Sequence, residues 1–232
     1  MTVGLVFAGA VCAQILEKKG IYCGVHILSI KDIEDKPFDL CDIDKKLLGD
    51  IAKKDFPVIE DKTAQKMKEI IMEAKNKGDS VGGVVECAVI GLLAGIGEPM
   101  FDGVENRIAS ILFGIPAVKG VQFGKGFDIT KLYGSQANDE LYLDRGKIRT
   151  YSNNNGGING GITNGMPVVF SVAIKPTPSI AKEQRTVNLD TMQESKAVIH
   201  GRHDPCIVKR ALPVVEAAAN IAVLDMIMGE KK

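Results

Sequence analysis

Residues 153–179 read NNNGGINGGITNGMPVVFSVAIKPTPS. Glycine runs leave backbone N–H groups open, and such runs can cradle a phosphate or lie flat beneath a ring. Most Asn/Gly runs are simply flexible surface loops. This one feeds without a break into an apolar strand, Val168 to Ile174, and then into Lys175. Pro176 and Pro178 fix φ on both sides of Thr177. A segment held that tightly, with a cation at Lys175 and hydroxyls at Thr177 and Ser179, is suited to holding an anion.

Working outward, strands and helices alternate irregularly around this segment. Leu5 to Lys19 reads as a helix of small and branched apolar residues closed by Gly20. Ile21 to Ile30 is β-rich, and Asp44 to Lys54 carries a short helix within a charged stretch. In Lys62 to Gly78, Met67, Ile70, Ile71 and Ala74 fall on one face at helical spacing. Ser80 to Val89, Val118 to Phe123, Val168 to Ile174 and residues 184–189 read as strands, and Asn106 to Phe113 as a helix. The chain closes on an apolar helix, Pro205 to Met228, for which Pro205 suits the first turn and Asp204 the N-cap. No repeat, linker or low-complexity tail interrupts the pattern, so one domain over residues 1–232 is expected.

Composition narrows the function classes. A chain of 232 residues buries roughly 70% of its unfolded surface and needs no staples. Lys plus Arg and Asp plus Glu both total 29, so no sequence-wide attraction to nucleic acid is expected. Any anionic ligand must be met by local charge. Aromatics make up only 5%, without Trp, which argues against base-stacking platforms. The five cysteines (Cys12, Cys23, Cys41, Cys87, Cys206) include no CxxC pair and read as reduced thiols of a cytoplasmic protein. Val3 to Leu16 is too short to span a bilayer and lacks a basic n-region, so no membrane partner is expected. Its position, with no lead-in before a buried-looking helix, reads as a start within a longer sequence.

Two constellations invite sharper readings. Gly78-Asp79-Ser80-Val81-Gly82-Gly83 approximates a serine-protease loop, but Val81 splits the pattern and would displace the oxyanion donors. The glycine pair is better explained by close approach of another backbone. His200, His203 and Cys206 are spaced like metal ligands, yet Arg202 would stand beside the metal and only His26 remains to complete the set, so no metal is expected. In the same stretch, Arg202 can meet an anion, and Asp204 can either cap the following helix or exchange a proton.

Seven segments then fall in one order: GDSVGGVVE (78–86), GEPMFD (97–102), IPAVKGVQFG (115–124), GSQANDE (134–140), NNNGGINGGITNGMPVVF (153–170), KPTPSI (175–180) and GRHDPC with ALPVVEA (201–217). Together they resemble chorismate synthase, from about Leu5 to the C-terminus. The resemblance implies an α+β fold with helices sandwiched between antiparallel sheets, assembled as a cytoplasmic homotetramer. It implies conversion of 5-enolpyruvylshikimate 3-phosphate to chorismate and phosphate by anti-1,4 elimination with reduced FMN. The flavin would be reduced by an NADPH-dependent activity of the enzyme or by an external reductase.

The same resemblance places FMN contacts on Pro116, Ala117, Gly160, Lys175, Pro176, Thr177, Pro178, Ser179 and Arg202, and the catalytic carboxylate on Asp204. Pro116 and Ala117 come from the resemblance alone; the other cofactor positions lie in segments that the residue chemistry already marks. Family members also carry an N-terminal section with a Ser-His-Gly motif and substrate-binding arginines. Here the first arginine is Arg107. The expectation is therefore a chorismate synthase polypeptide lacking roughly the family's first third. The alternative is a catalytically inactive, flavin-binding fragment of that enzyme.

Overall fold

The computed structural model describes residues 2–201 and 203–229. In chain order the elements are α1 (Thr2–Glu17), β1 (Tyr22–Ile30), β2 (Ile33–Glu34), α2 (Lys45–Ala52), α3 (Asp61–Asn76), β3 (Gly83–Ile90), α4 (Val104–Phe113) and β4 (Val118–Phe123). They continue with α5 (Gly134–Ala137), β5 (Leu141–Asp144), β6 (Lys147–Thr150), β7 (Ile158–Asn159), β8 (Ile162–Thr163), β9 (Val168–Ile174), β10 (Gln184–Asn188), β11 (Gln193–Ala197) and α6 (Val208–Gly229).

Five strands form one antiparallel sheet in the order β2-β1-β3-β9-β4, and six others pair as three two-stranded ribbons. The fold is α+β. Strands β3 and β9 are apolar at nearly every position because both faces of the sheet are covered. Val85, Cys87, Val89, Phe170 and Val172 point inward to the helices. Ala88 and Val169 point outward, where Phe38, Ile43, Leu48 and Ile51 of the segment around α2 lie over them.

The helical layer is built on α6, whose stretch of mean hydropathy 1.7 is long and apolar enough to cross a membrane, and 67% of that stretch is buried in this core. α6 packs against α1, α4 and the sheet. Gly9 sets the α1–α6 approach, since a Cβ there would collide with Ala217. The opposite face of α1 leaves Val3 and Phe7 82% and 73% exposed.

Most element boundaries fall within three residues of the sequence expectation. The N-terminus of α6 is a correction. The helix starts at Val208, not Pro205, and Ile207 O receives the first N–H groups, from Arg210 and Ala211, at 3.0 Å. Pro205 O is bonded instead to Val81 N at 2.8 Å, which ties residues 204–206 to the approach of β3 and takes Asp204 out of capping position. For the same reason β3 begins at Gly83 rather than Ser80. The ribbons β5–β6 and β7–β8 are structure that the sequence pattern did not announce.

Candidate active site

The sheet has two ends, and the candidate residues divide between them. At one end meet the last residue of β9, the first residues of β3 and β4, and the end of β1: Ile174 pairs with Gly83 and Val118, and Gly83 with Ile30. Lys175 to Ser179 leaves the sheet here. Lys175 N donates to Ala117 O at 2.9 Å, which joins two positions 58 residues apart in sequence. Ala117 sits at φ 75°, an uncommon conformation for a residue with a Cβ, and this bond helps to hold it there.

Residues 79–82 run between the proline-bracketed segment and residues 204–206. On one side Ser80 Oγ donates to Thr177 O at 2.6 Å, and a Cβ on Gly82 would strike Ile174 O and Pro176. On the other side Val81 N reaches Pro205 O. The glycine pair therefore serves close backbone approach, as its composition implied, and the Ser80 hydroxyl is occupied in bracing a turn.

The polar groups at this end suit an anion. Lys175 is exposed and has no carboxylate within 4 Å among the described residues. Thr177 Oγ1 is buried without a hydrogen-bond partner, a costly state for a hydroxyl unless a ligand completes it. Asp204 Oδ2 accepts from Arg210 Nη1 at 2.6 Å. Beside Ser80 opens a cavity of about 270 Å³ lined by Lys31, Lys77, Lys182, Glu73 and Asp79. Each of its lysines is paired, Lys182 with Asp79 at 2.7 Å, Lys77 with Glu73, and Lys31 with Asp32 at 3.6 Å. Lys175 is thus the better anion donor. Arg202 lies outside the described residues.

Gly160 is not brought to this end. It lies in the turn between β7 and β8, ahead of β9, and neighbouring Gly161 O accepts from Val104 N at the start of α4. Ala117 follows the other end of α4, a ten-residue helix that rises about 15 Å. The Asn/Gly segment itself is ordered rather than loose. Asp139, which the residue chemistry did not single out, accepts from Asn154 N at 2.7 Å, Asn155 N at 3.0 Å, Asn155 Nδ2 at 2.8 Å and Ser152 Oγ at 2.7 Å. These bonds, though opposed by burial, hold its carboxyl below the usual range. Asn153 Oδ1 accepts from Gly157 N at 2.6 Å. The only advance signal was Asp139's place inside GSQANDE.

Comparison with known proteins decides which family builds this arrangement. The sequence profile of the chorismate synthase family matches residues 1–228. The chain belongs to the chorismate synthase family. It is 41% identical over 228 residues to "Chorismate synthase" of Methanothermobacter thermautotrophicus, covering 97% of this chain and 59% of that protein. It is 43% identical to the chorismate synthases of Dehalococcoides mccartyi and Pyrococcus abyssi, covering 61% and 62% of their lengths. A solved structure, "Crystal Structure of Chorismate Synthase", superposes with a TM-score of 0.80 at 30% identity, covering 98% of this chain and 63% of that one. The chain thus spans about three fifths of the length of the chorismate synthases it matches.

Proposed function

We propose that this chain supplies the flavin-binding end of a chorismate synthase, a lyase that converts 5-enolpyruvylshikimate 3-phosphate to chorismate and phosphate. The observation that carries this reading is the turn Lys175 to Ser179. It is fixed at Ala117 O and at Ser80 Oγ, and it offers on one short, stiff stretch an exposed ammonium and a buried hydroxyl that have no partner among the described residues. Those groups fit the phosphate tail of FMN. Lys175 Nζ would neutralise it, Thr177 Oγ1 and Ser179 would donate to it, and Pro116-Ala117 would pack beside it. Reduced FMN, when bound, supplies transient electron density to a reaction that expels phosphate from an allylic carbon and has no net redox change. Asp204 keeps Oδ1 available while Oδ2 rests on Arg210, so the carboxylate can accept the departing ring proton.

Gly160 lies beside the start of α4 and Ala117 beyond its end, so one flavin would meet both either along its own length or across a contact between two copies of the chain. A homotetramer, a cytoplasmic location and dependence on an NADPH-linked or external flavin reductant belong to the same proposal. The test is titration of FMN with the chain, read by flavin fluorescence, beside an anaerobic chorismate-formation assay in a protein of the relatives' full length. Saturable binding and turnover are expected. Absence of saturable binding by either protein would overturn the assignment.

A further inference from the structure

His26 is fully buried on the outer face of the sheet, under residues 35–60, and none of the chemistry above uses it. Two carboxylates face it from different elements. Glu86 Oε2, on β3, is hydrogen-bonded to Nε2 at 2.8 Å, whereas Asp35 Oδ2, just after β2, lies 3.5 Å from Nδ1 at ion-pair range and leaves that buried nitrogen without a hydrogen bond. Both are buried, at 4% and 6% exposure. Each also fastens one end of the covering segment. Glu86 Oε2 accepts from Phe38 N at 2.7 Å, and Asp35 accepts from Ile59 N at 2.5 Å and Glu60 N at 3.1 Å. The edge of the Phe38 ring closes over the imidazole with centroids 4.5 Å apart.

The charge arithmetic of this cluster is decisive. Two buried carboxylates need a cation, and among the described residues no lysine or arginine lies within 4 Å of either. Two charged groups of the covering segment are committed elsewhere: Lys54 to Val58 O, Ile59 O and Asp61, and Glu60 to Lys62. A neutral imidazole has one N–H and would turn a lone pair on one of its two acidic partners. An imidazolium presents an N–H to both.

We propose that His26 is a charged latch, which as an imidazolium clamps residues 35–60 to the sheet through Glu86 and Asp35 and on deprotonation releases them. Burial opposes the charged ring, but the closeness of the Asp35 carboxylate and the hydrogen bond and field of Glu86 outweigh it and hold its pKa above the ordinary value. The sign follows: a raised folded pKa gives a contribution complete below about 6.5 that disappears as pH rises through the folded value, so the latch opens on the alkaline side. Its reach extends past the segment. Leu40 O accepts from Asn153 Nδ2 at 2.8 Å, and Asn153 seats Gly157, so release loosens the glycine-rich turn as well.

The experiment uses the unmodified chain, whose three histidines can be labelled with ¹⁵N and told apart with H200Q and H203Q. Both ring nitrogens of His26 should still be protonated just above the ordinary histidine midpoint of about pH 6.5. As the ring titrates, amide exchange, corrected for its intrinsic pH dependence, should accelerate about tenfold or more in residues 35–60 and 153–157 while α6 stays protected. In H26Q, which keeps one donor and no charge, the segment should exchange fast throughout, without a pH step. A neutral His26 ring at that pH overturns the proposal, as does protection of residues 35–60 that is indifferent to the ring's titration. Both readings come from the unmodified chain, so they decide the matter even if H26Q does not fold.

Discussion

Ser80 donates its hydroxyl hydrogen to the carbonyl oxygen of Thr177 across 2.6 Å, spanning 97 residues of sequence. A serine in a GDSVGG segment looks like a nucleophile, yet here it braces the turn proposed to hold phosphate. Ser80→Ala should lower stability by about 1 kcal/mol, the net worth of one hydrogen bond. It should also weaken FMN several-fold, because the turn that presents Lys175 loses one of its anchors. Thermal denaturation and flavin titration of the same preparation check both. Lower stability with unchanged flavin affinity would mean that the contact serves only the fold.

Removing the ammonium should act on the ligand and not on the fold. Lys175 is exposed and has no carboxylate partner among the described residues, so Lys175→Ala should leave the melting temperature nearly unchanged. FMN affinity should fall by about 1.5–3 kcal/mol, roughly ten- to 150-fold, the scale of a charge-assisted hydrogen bond. Riboflavin, which lacks the phosphate, should bind both proteins equally. If riboflavin and FMN lose affinity together, the lysine contacts some other part of the ligand.

Glu216 offers a test of the core. Burial and, secondarily, the Glu17 carboxylate raise its pKa from 4.5 to about 7. The folded state therefore binds more protons than the unfolded state between those values, and stability falls as pH rises through that window. Glu216→Gln removes the charge but keeps the shape. It should raise the melting temperature by about 2–6 °C near pH 8.5 and by much less near pH 5. Equal melting temperatures for the two proteins at the higher pH would refute the buried-charge account.

What the sequence disclosed was what periodicity and local chemistry encode. Met67 and Ala74 marked the inward face of α3 at helical spacing, and both are buried. Gly20 marked the end of α1 and adopts φ 79°. The sequence was silent where long-range partners decide. Nothing near Ala117 announces a left-handed alanine, because the bond that helps to hold it comes from Lys175. Pro205 has the right chemistry for a first helical turn but loses that role to Val81 N. His26 looked like the leftover histidine of an incomplete metal set. Its meaning depends on Asp35 and Glu86, and only the pairing of β1 with β3 and the return of residues 35–38 bring these together.

The structure also sharpens the choice for Asp204. Capping is no longer a competing explanation, since α6 starts at Val208 and Asp204 is bound instead to Arg210. Both side chains of that pair are partly exposed, at 38% and 72%, so the pair contributes little to stability. Asp204→Asn keeps an oxygen for Arg210 and removes the proton acceptor. In a protein of the relatives' full length, turnover should fall about 10²-fold or more with little change in melting temperature or in FMN affinity. Arg210→Gln provides the control, because it releases Asp204 Oδ2 without touching the carboxylate. Turnover should then survive within about tenfold, since an exposed pair of this kind contributes little. If Asp204→Asn retained turnover, or if Arg210→Gln abolished it as completely, the proton would have to leave by another group. The 204–210 pair would then be a fastening of the chain beside the site.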